Sequence, residues 1–98
     1  MLDRETILKR LKQHEPELRR KGVSALFLFG SIARGEAGAE SDVDLFFDYD
    51  DPSLSLLDVI GIEQFLADEL ETKVDAMTRS SLHPLLKKSI ERSAIRVF

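Results

Sequence analysis

The stretch Leu26–Phe47, LFLFGSIARGEAGAESDVDLFF, decides how this chain is read. Both of its ends are apolar and strand-like, yet Asp42 and Asp44 stand where the second apolar run begins. Residues two apart on a strand project from one face about 6.6 Å apart, so the spacing lets Asp42 and Asp44 point together while Val43 and Leu45 turn to a core. An ionised pair on a core strand is destabilising unless neutralised, and a hard divalent cation bound through oxygen is the usual neutraliser.

The glycine end of the stretch supplies a second chemistry. Gly30 lets the backbone approach a ligand closely, Ser31 begins a helical turn whose free amides and hydroxyl suit a phosphate, and Arg34 lies one turn along, in reach of the same anion. Asp75, in KVDAMT (residues 73–78), lies on a strand that could pair beside the second one and would add a third carboxylate. Three acids around one or two Mg²⁺ ions, facing a phosphate-binding turn, suit in-line attack on a nucleotide phosphate.

Periodicity places these residues in a layered fold. Ile7, Leu8, Leu11 and Leu18 predict an amphipathic helix from Asp3 to about Lys21, kinked or interrupted by Pro16 and ended by Gly22. The run VSALFLF (23–29) reads as a central strand covered on both faces. GSIARGEAGAES then reads as a turn, one helical turn and a small-residue loop, VDLFFDY (43–49) as a second strand, and DDPS as its end. Ser55 and Asp58 form a capping pair for a helix carrying Leu56, Leu57, Ile60, Phe65, Leu66 and Leu70, with Gly61 inside it. In the KVDAMT strand, alternation puts Val74 and Ala76 on one face and Asp75 on the other. A helix over about Ser81–Ser93 and a terminal strand AIRVF complete the chain. The class is α/β or α+β, a small mixed sheet flanked by helices, in a single domain spanning residues 1–98.

Composition narrows the function. With 98 residues, 43% of them hydrophobic, the chain has material for one core, and with no cysteine it holds neither a disulfide nor a thiolate metal site. No apolar run approaches the ~20 residues of a membrane span, and Asp3, Arg4 and Glu5 occupy the place of a secretory signal. A cytoplasmic protein with no membrane association is expected. The net charge of -4 is unevenly spread: residues 36–75 hold thirteen Asp/Glu and one Lys, while the flanks are basic. Such a block argues against direct nucleic-acid binding and for cation binding wherever some of the acids converge.

Other residues have plainer readings. Asp48, Asp50 and Asp51 precede Pro52, where turn chemistry explains acids. His14 and His83 read as surface or helix-end residues, Tyr49 as a packing aromatic at a strand end, and Arg19, Arg20, Lys21, Lys87 and Lys88 as solvated helix faces.

Gly30-Ser31, ten intervening residues, then Asp42-Val43-Asp44 resembles the signature of the DNA polymerase β-like nucleotidyltransferase superfamily. The small size, Ala33-Arg34-Gly35 and Ser41 resemble its minimal nucleotidyltransferase branch, and the likeness runs from the first helix through KVDAMT. The resemblance implies the nucleotidyltransferase fold, with Gly30 and Ser31 on the triphosphate of ATP, Asp42 and Asp44 holding two Mg²⁺ ions, and Asp75 helping to bind the catalytic metal and activate an attacking hydroxyl. It also implies a partner, since members of that branch act as antitoxins of HEPN toxins, moving AMP from ATP to a toxin tyrosine. The chain has no residues left for an acceptor domain of its own, so a separate protein is expected to present the acceptor. The alternative is a non-catalytic nucleotide-binding module that neutralises a partner by contact.

Overall fold

The computed structural model describes residues 3–36 and 42–98. Helix α1 (Arg4–Gln13) is opened by Asp3, whose carboxylate accepts the Thr6 amide hydrogen at 2.8 Å. The first helical segment stops at His14 and restarts as α2 (Glu15–Arg20). Pro16 falls in the first turn of α2, where its missing amide costs no intrahelical bond. Gly22 follows with φ +105° and turns the chain into β1 (Val23–Phe29). The four-residue α3 (Gly30–Ala33), β2 (Val43–Tyr49), α4 (Leu56–Leu70) and β3 (Val74–Thr78) come next, then a 3₁₀ turn (Arg79–Ser81), α5 (Lys87–Ser93) and β4 (Ile95–Arg96). The small-residue loop and Ser41 lie largely or wholly outside the described residues.

The four strands form one sheet in the order β3-β2-β1-β4. β1 pairs antiparallel with β2 and β4, whereas β2 and β3 run parallel, so the sheet is mixed and the fold is α+β. One face carries the core. Ile7, Leu11 and Leu18 from α1 and α2, with Ile62, Leu66 and Leu70 from α4, meet Leu26, Leu28, Val43, Leu45, Phe47, Val74 and Ala76 of the strands. Each side chain so enclosed contributes about 1.5–3 kcal/mol relative to exposure, which makes this layer the main source of stability. α4 is held at its start by a reciprocal cap in which Asp58 N–H donates to Ser55 Oγ and Ser55 N–H to Asp58 Oδ2. α4 also serves the edge strand, since Glu63 Oε2 accepts the Ala76 amide hydrogen at 3.1 Å.

The opposite face of β1 is covered differently from the expectation. The Phe27 and Phe46 rings stack at 4.7 Å, and the guanidinium groups of Arg79 and Arg96 lie over them in place of a helix. Arg79 donates to both carboxylate oxygens of Asp48, at 2.8 and 2.9 Å, and to Glu91 of α5. Asp48 is thus a strand residue in a two-pronged ion pair; turn chemistry applies to Asp51, which accepts from the Ser53 amide and hydroxyl. The last helix also starts later than expected. Pro84 lacks an amide hydrogen and disfavours helical geometry at His83, so residues 82–86 do not join α5, and helix resumes only at Lys87.

α4 ends at Glu71 in the left-handed conformation, φ +53°. A side chain there is strained by about 1–2 kcal/mol, of which glycine's greater unfolded-state entropy offsets a part. Glu71→Gly should therefore raise unfolding free energy by about 1 kcal/mol in urea melts, without changing the fold.

Candidate active site

Gly30 joins β1 to α3 with φ +81°. Antiparallel pairing sets Phe29 opposite Asp44, and the Asp44 side chain fills the space beside the glycine. A Cβ at position 30 would overlap Asp44 Oδ2 and lie 3.1 Å from its Cγ. Backbone conformation and a neighbouring carboxylate therefore exclude a side chain for separate reasons. Arg4 Nη1 donates to Ala33 O at 3.0 Å and ties the end of α3 to α1, holding this turn against the helical layer.

The parallel pairing of β2 with β3 sets Asp44 beside Asp75, on strands about 4.8 Å apart. Their flanking residues Val43, Leu45, Val74 and Ala76 are buried in the core, so both aspartates emerge on the other face. Asp44 is half-buried and Asp75 exposed. Burial pushes the Asp44 carboxyl above its ordinary value, the charges of Asp75 and then Asp42 push it further, and Arg34 opposes them in part. One carboxylate thus senses the three other charged residues singled out for the site, Asp75, Asp42 and Arg34.

The remaining positions are less uniform. Asp42 precedes β2, and its Oδ2 lies 3.7 Å from Lys73 Nζ, an exposed pair worth a few tenths of a kcal/mol. Lys73 escaped the sequence reading; the signal was its place one residue before a strand, which becomes informative once the Val43–Val74 register is known. Arg34 is exposed and donates from Nε to Glu36 Oε2 at 3.0 Å, so its guanidinium is shared between that acid and the site. Ser31 sits half-buried in the first turn of α3. His14, by contrast, lies between Glu17 and Glu69 against the Phe65 ring, and His83 accepts the Leu85 amide hydrogen.

Among the described residues, no three Asp, Glu, His or Cys side chains converge as a closed cage for a metal ion. The acids form an open, mutually repelling set on one face of the sheet. Hard oxygen donors on adjacent strands, with one carboxyl already destabilised as an anion, fit a divalent cation of the Mg²⁺ type.

A family model described as a nucleotidyltransferase domain matches residues 5–97. A candidate protein adenylyltransferase of Methanocaldococcus jannaschii is 45% identical over 89 residues, 89% of this chain and 90% of its own. The protein adenylyltransferase MntA of Thermococcus cleftensis is 39% identical over 98 residues, 99% of this chain and 98% of its own. A solved structure of a candidate minimal nucleotidyltransferase superposes with TM-score 0.82 at 33% identity, covering 96% of this chain and 95% of that one. A complex of a tri-AMPylated Shewanella oneidensis HEPN toxin with an MNT antitoxin shares the fold, with TM-score 0.69 at 18% identity over 97% of this chain and 71% of that one.

Two outcomes follow from the Gly30–Asp44 contact. Gly30→Ala should cost at least about 1–2 kcal/mol from the positive φ alone, together with displacement of Asp44, seen as a lowered urea midpoint. In metal-free buffer, the raised Asp44 pKa means that the folded chain holds this proton more tightly than the unfolded chain. Its contribution is most favourable in acid and declines as pH rises past the ordinary carboxylate value and through the folded one. The stability advantage of Asp44→Asn over the parent should therefore widen from acid to neutral pH; an advantage independent of pH would contradict this account.

Proposed function

The chain belongs to the minimal nucleotidyltransferase family and is a nucleotidyltransferase, and on that premise we propose that it moves AMP from ATP to a tyrosine hydroxyl of a HEPN-type toxin, acting as its antitoxin. The observation that carries the reading is the interlock of Gly30 with Asp44 beside Asp75. A close-approach glycine and a repelling acid pair meet at one end of the sheet, at the cost of a repulsion that the core does not require. The adenylyltransferase names of the two relatives and the AMPylated toxin in the related complex support the choice of donor and acceptor.

In this reading Asp42, Asp44 and Asp75 hold Mg²⁺. When bound, the cation neutralises the acids and the phosphate oxygens and stabilises charge developing on the leaving group. Gly30, having no side chain, leaves room for the triphosphate beside β1, and the Ser31 hydroxyl donates to a phosphate oxygen. Arg34 supplies positive charge at the same place, and its bond to Glu36 is exchanged for one to phosphate. Asp75, the exposed member of the set, accepts the proton of the incoming hydroxyl. The hydroxyl oxygen then bonds to the α-phosphorus, the bond to the bridging α,β-oxygen breaks, and pyrophosphate leaves. A separate chain presents the acceptor.

Incubation with labelled ATP, Mg²⁺ and a HEPN-type toxin chain from the same organism should add one or more adenylate masses to that chain, read by intact mass spectrometry. Asp75→Asn should leave ATP affinity within a few-fold of the parent and lower transfer by orders of magnitude, since positioning and proton removal each carry large rate factors. Transfer at the parental rate by Asp75→Asn would remove this residue from the chemistry.

A further inference from the structure

The solvent side of α4 is unlike that of an ordinary amphipathic helix. Leu56, Leu57 and Ile60 are 74%, 78% and 53% exposed, on the first turn and a half of the helix. Gly61 follows on the same side as Leu57. A Cβ there would meet nothing within 4 Å, so no contact among the described residues calls for glycine, although glycine in a helix interior costs about 1 kcal/mol relative to alanine. Leu57 and Gly61 line one side of a groove of about 320 Å³ whose other side is Arg20 and Lys21 at the end of α2. Neither cation makes an ion pair among the described residues. The acid nearest them in the groove, Asp58, already accepts the Ser55 amide and hydroxyl hydrogens.

Apolar side chains at helical spacing beside a glycine admit close approach of a second helix, as in ridge-into-groove packing. Lys21 already lies over the Phe65 ring at 4.9 Å, but neither it nor Arg20 meets an acid among the described residues, and the two cations along one edge select the charge of the visitor. We propose that the amino-terminal half of α4, with Arg20 and Lys21, is a docking surface for one helix of the partner chain, apolar on its facing side and carrying carboxylates along one edge. The partner's identity rests on the function proposed above; the surface itself does not. It lies on the helical layer, whereas Asp44 and Asp75 emerge on the opposite face of the sheet. Docking there leaves the acids open to an acceptor segment, so binding and transfer are separable.

The test is titration calorimetry of the purified HEPN-type chain against the full-length protein and its variants Leu57→Glu, Gly61→Gln and Arg20→Glu. All three positions are exposed, and glutamate and glutamine are good helix formers, so folding and ATP affinity should be unchanged. The proposal expects at least a tenfold loss of partner affinity in Leu57→Glu and Gly61→Gln, a smaller and salt-dependent loss in Arg20→Glu, and parental affinity in Asp44→Asn. Parental affinity in all three surface variants, with the parent itself binding, would overturn the surface and leave the proposed function standing. A parent that binds no HEPN-type chain would overturn both. Sedimentation showing that Gly61→Gln turns a parental dimer into a monomer would assign the face to a second copy of this chain and equally overturn the proposal.

Discussion

The Asp44 carboxylate occupies the space that a side chain at position 30 would need, and the local design depends on that contact. A carboxylate can lie there only because Gly30 adopts a positive φ and presents bare backbone. The register that brings them together follows from antiparallel pairing of β1 and β2, in which Phe29 faces Asp44. That register is in turn enforced by Leu26, Leu28, Leu45 and Phe47, all fully buried; a slip of one residue would exchange core and solvent faces along the whole strand. The apolar core therefore positions the charges. It also tolerates their repulsion, since several enclosed Leu and Phe side chains together outweigh one raised carboxyl pKa.

The two faces of the sheet divide the labour. Helices α1, α2 and α4 bury one face and supply stability. The other carries the acids at one end and, towards the other end, an aromatic and guanidinium layer, Phe27, Phe46, Arg79 and Arg96, locked by Asp48 and Glu91. Arg79 is held above its usual pKa by these two acids and remains charged at every working pH. Its side chain joins the strand that bears Asp75 to both β2 and α5, which fixes the exposed aspartate on a rigid scaffold.

Much of this was legible in the sequence where a local rule governs. Period-two alternation placed Val74 and Ala76 inward and Asp75 outward, and the Ser55–Asp58 cap marked the start of α4 to the residue. The nucleotidyltransferase fold followed from Gly30-Ser31 and Asp42-Val43-Asp44 in their spacing. What escaped depends on pairings distant along the chain. The Arg79–Asp48 bond spans 31 residues, so Asp48 read as part of a turn, and Lys73 gained meaning only from a parallel register. The late start of α5 follows from Pro84, whose effect on the preceding residue outweighs helix propensity in the residues around it.

The central claim is that the repelling acids Asp42 and Asp44, with Asp75 beside them, exist to hold a divalent cation against a nucleotide. Diffraction at the manganese absorption edge, from crystals grown with Mn²⁺ and a non-hydrolysable ATP analogue, tests it most directly. The account predicts an anomalous peak in contact with the Asp42 and Asp44 carboxylates, with the analogue's phosphates beside Gly30 and Ser31. A bound nucleotide with its metal elsewhere and these carboxylates unligated would contradict it.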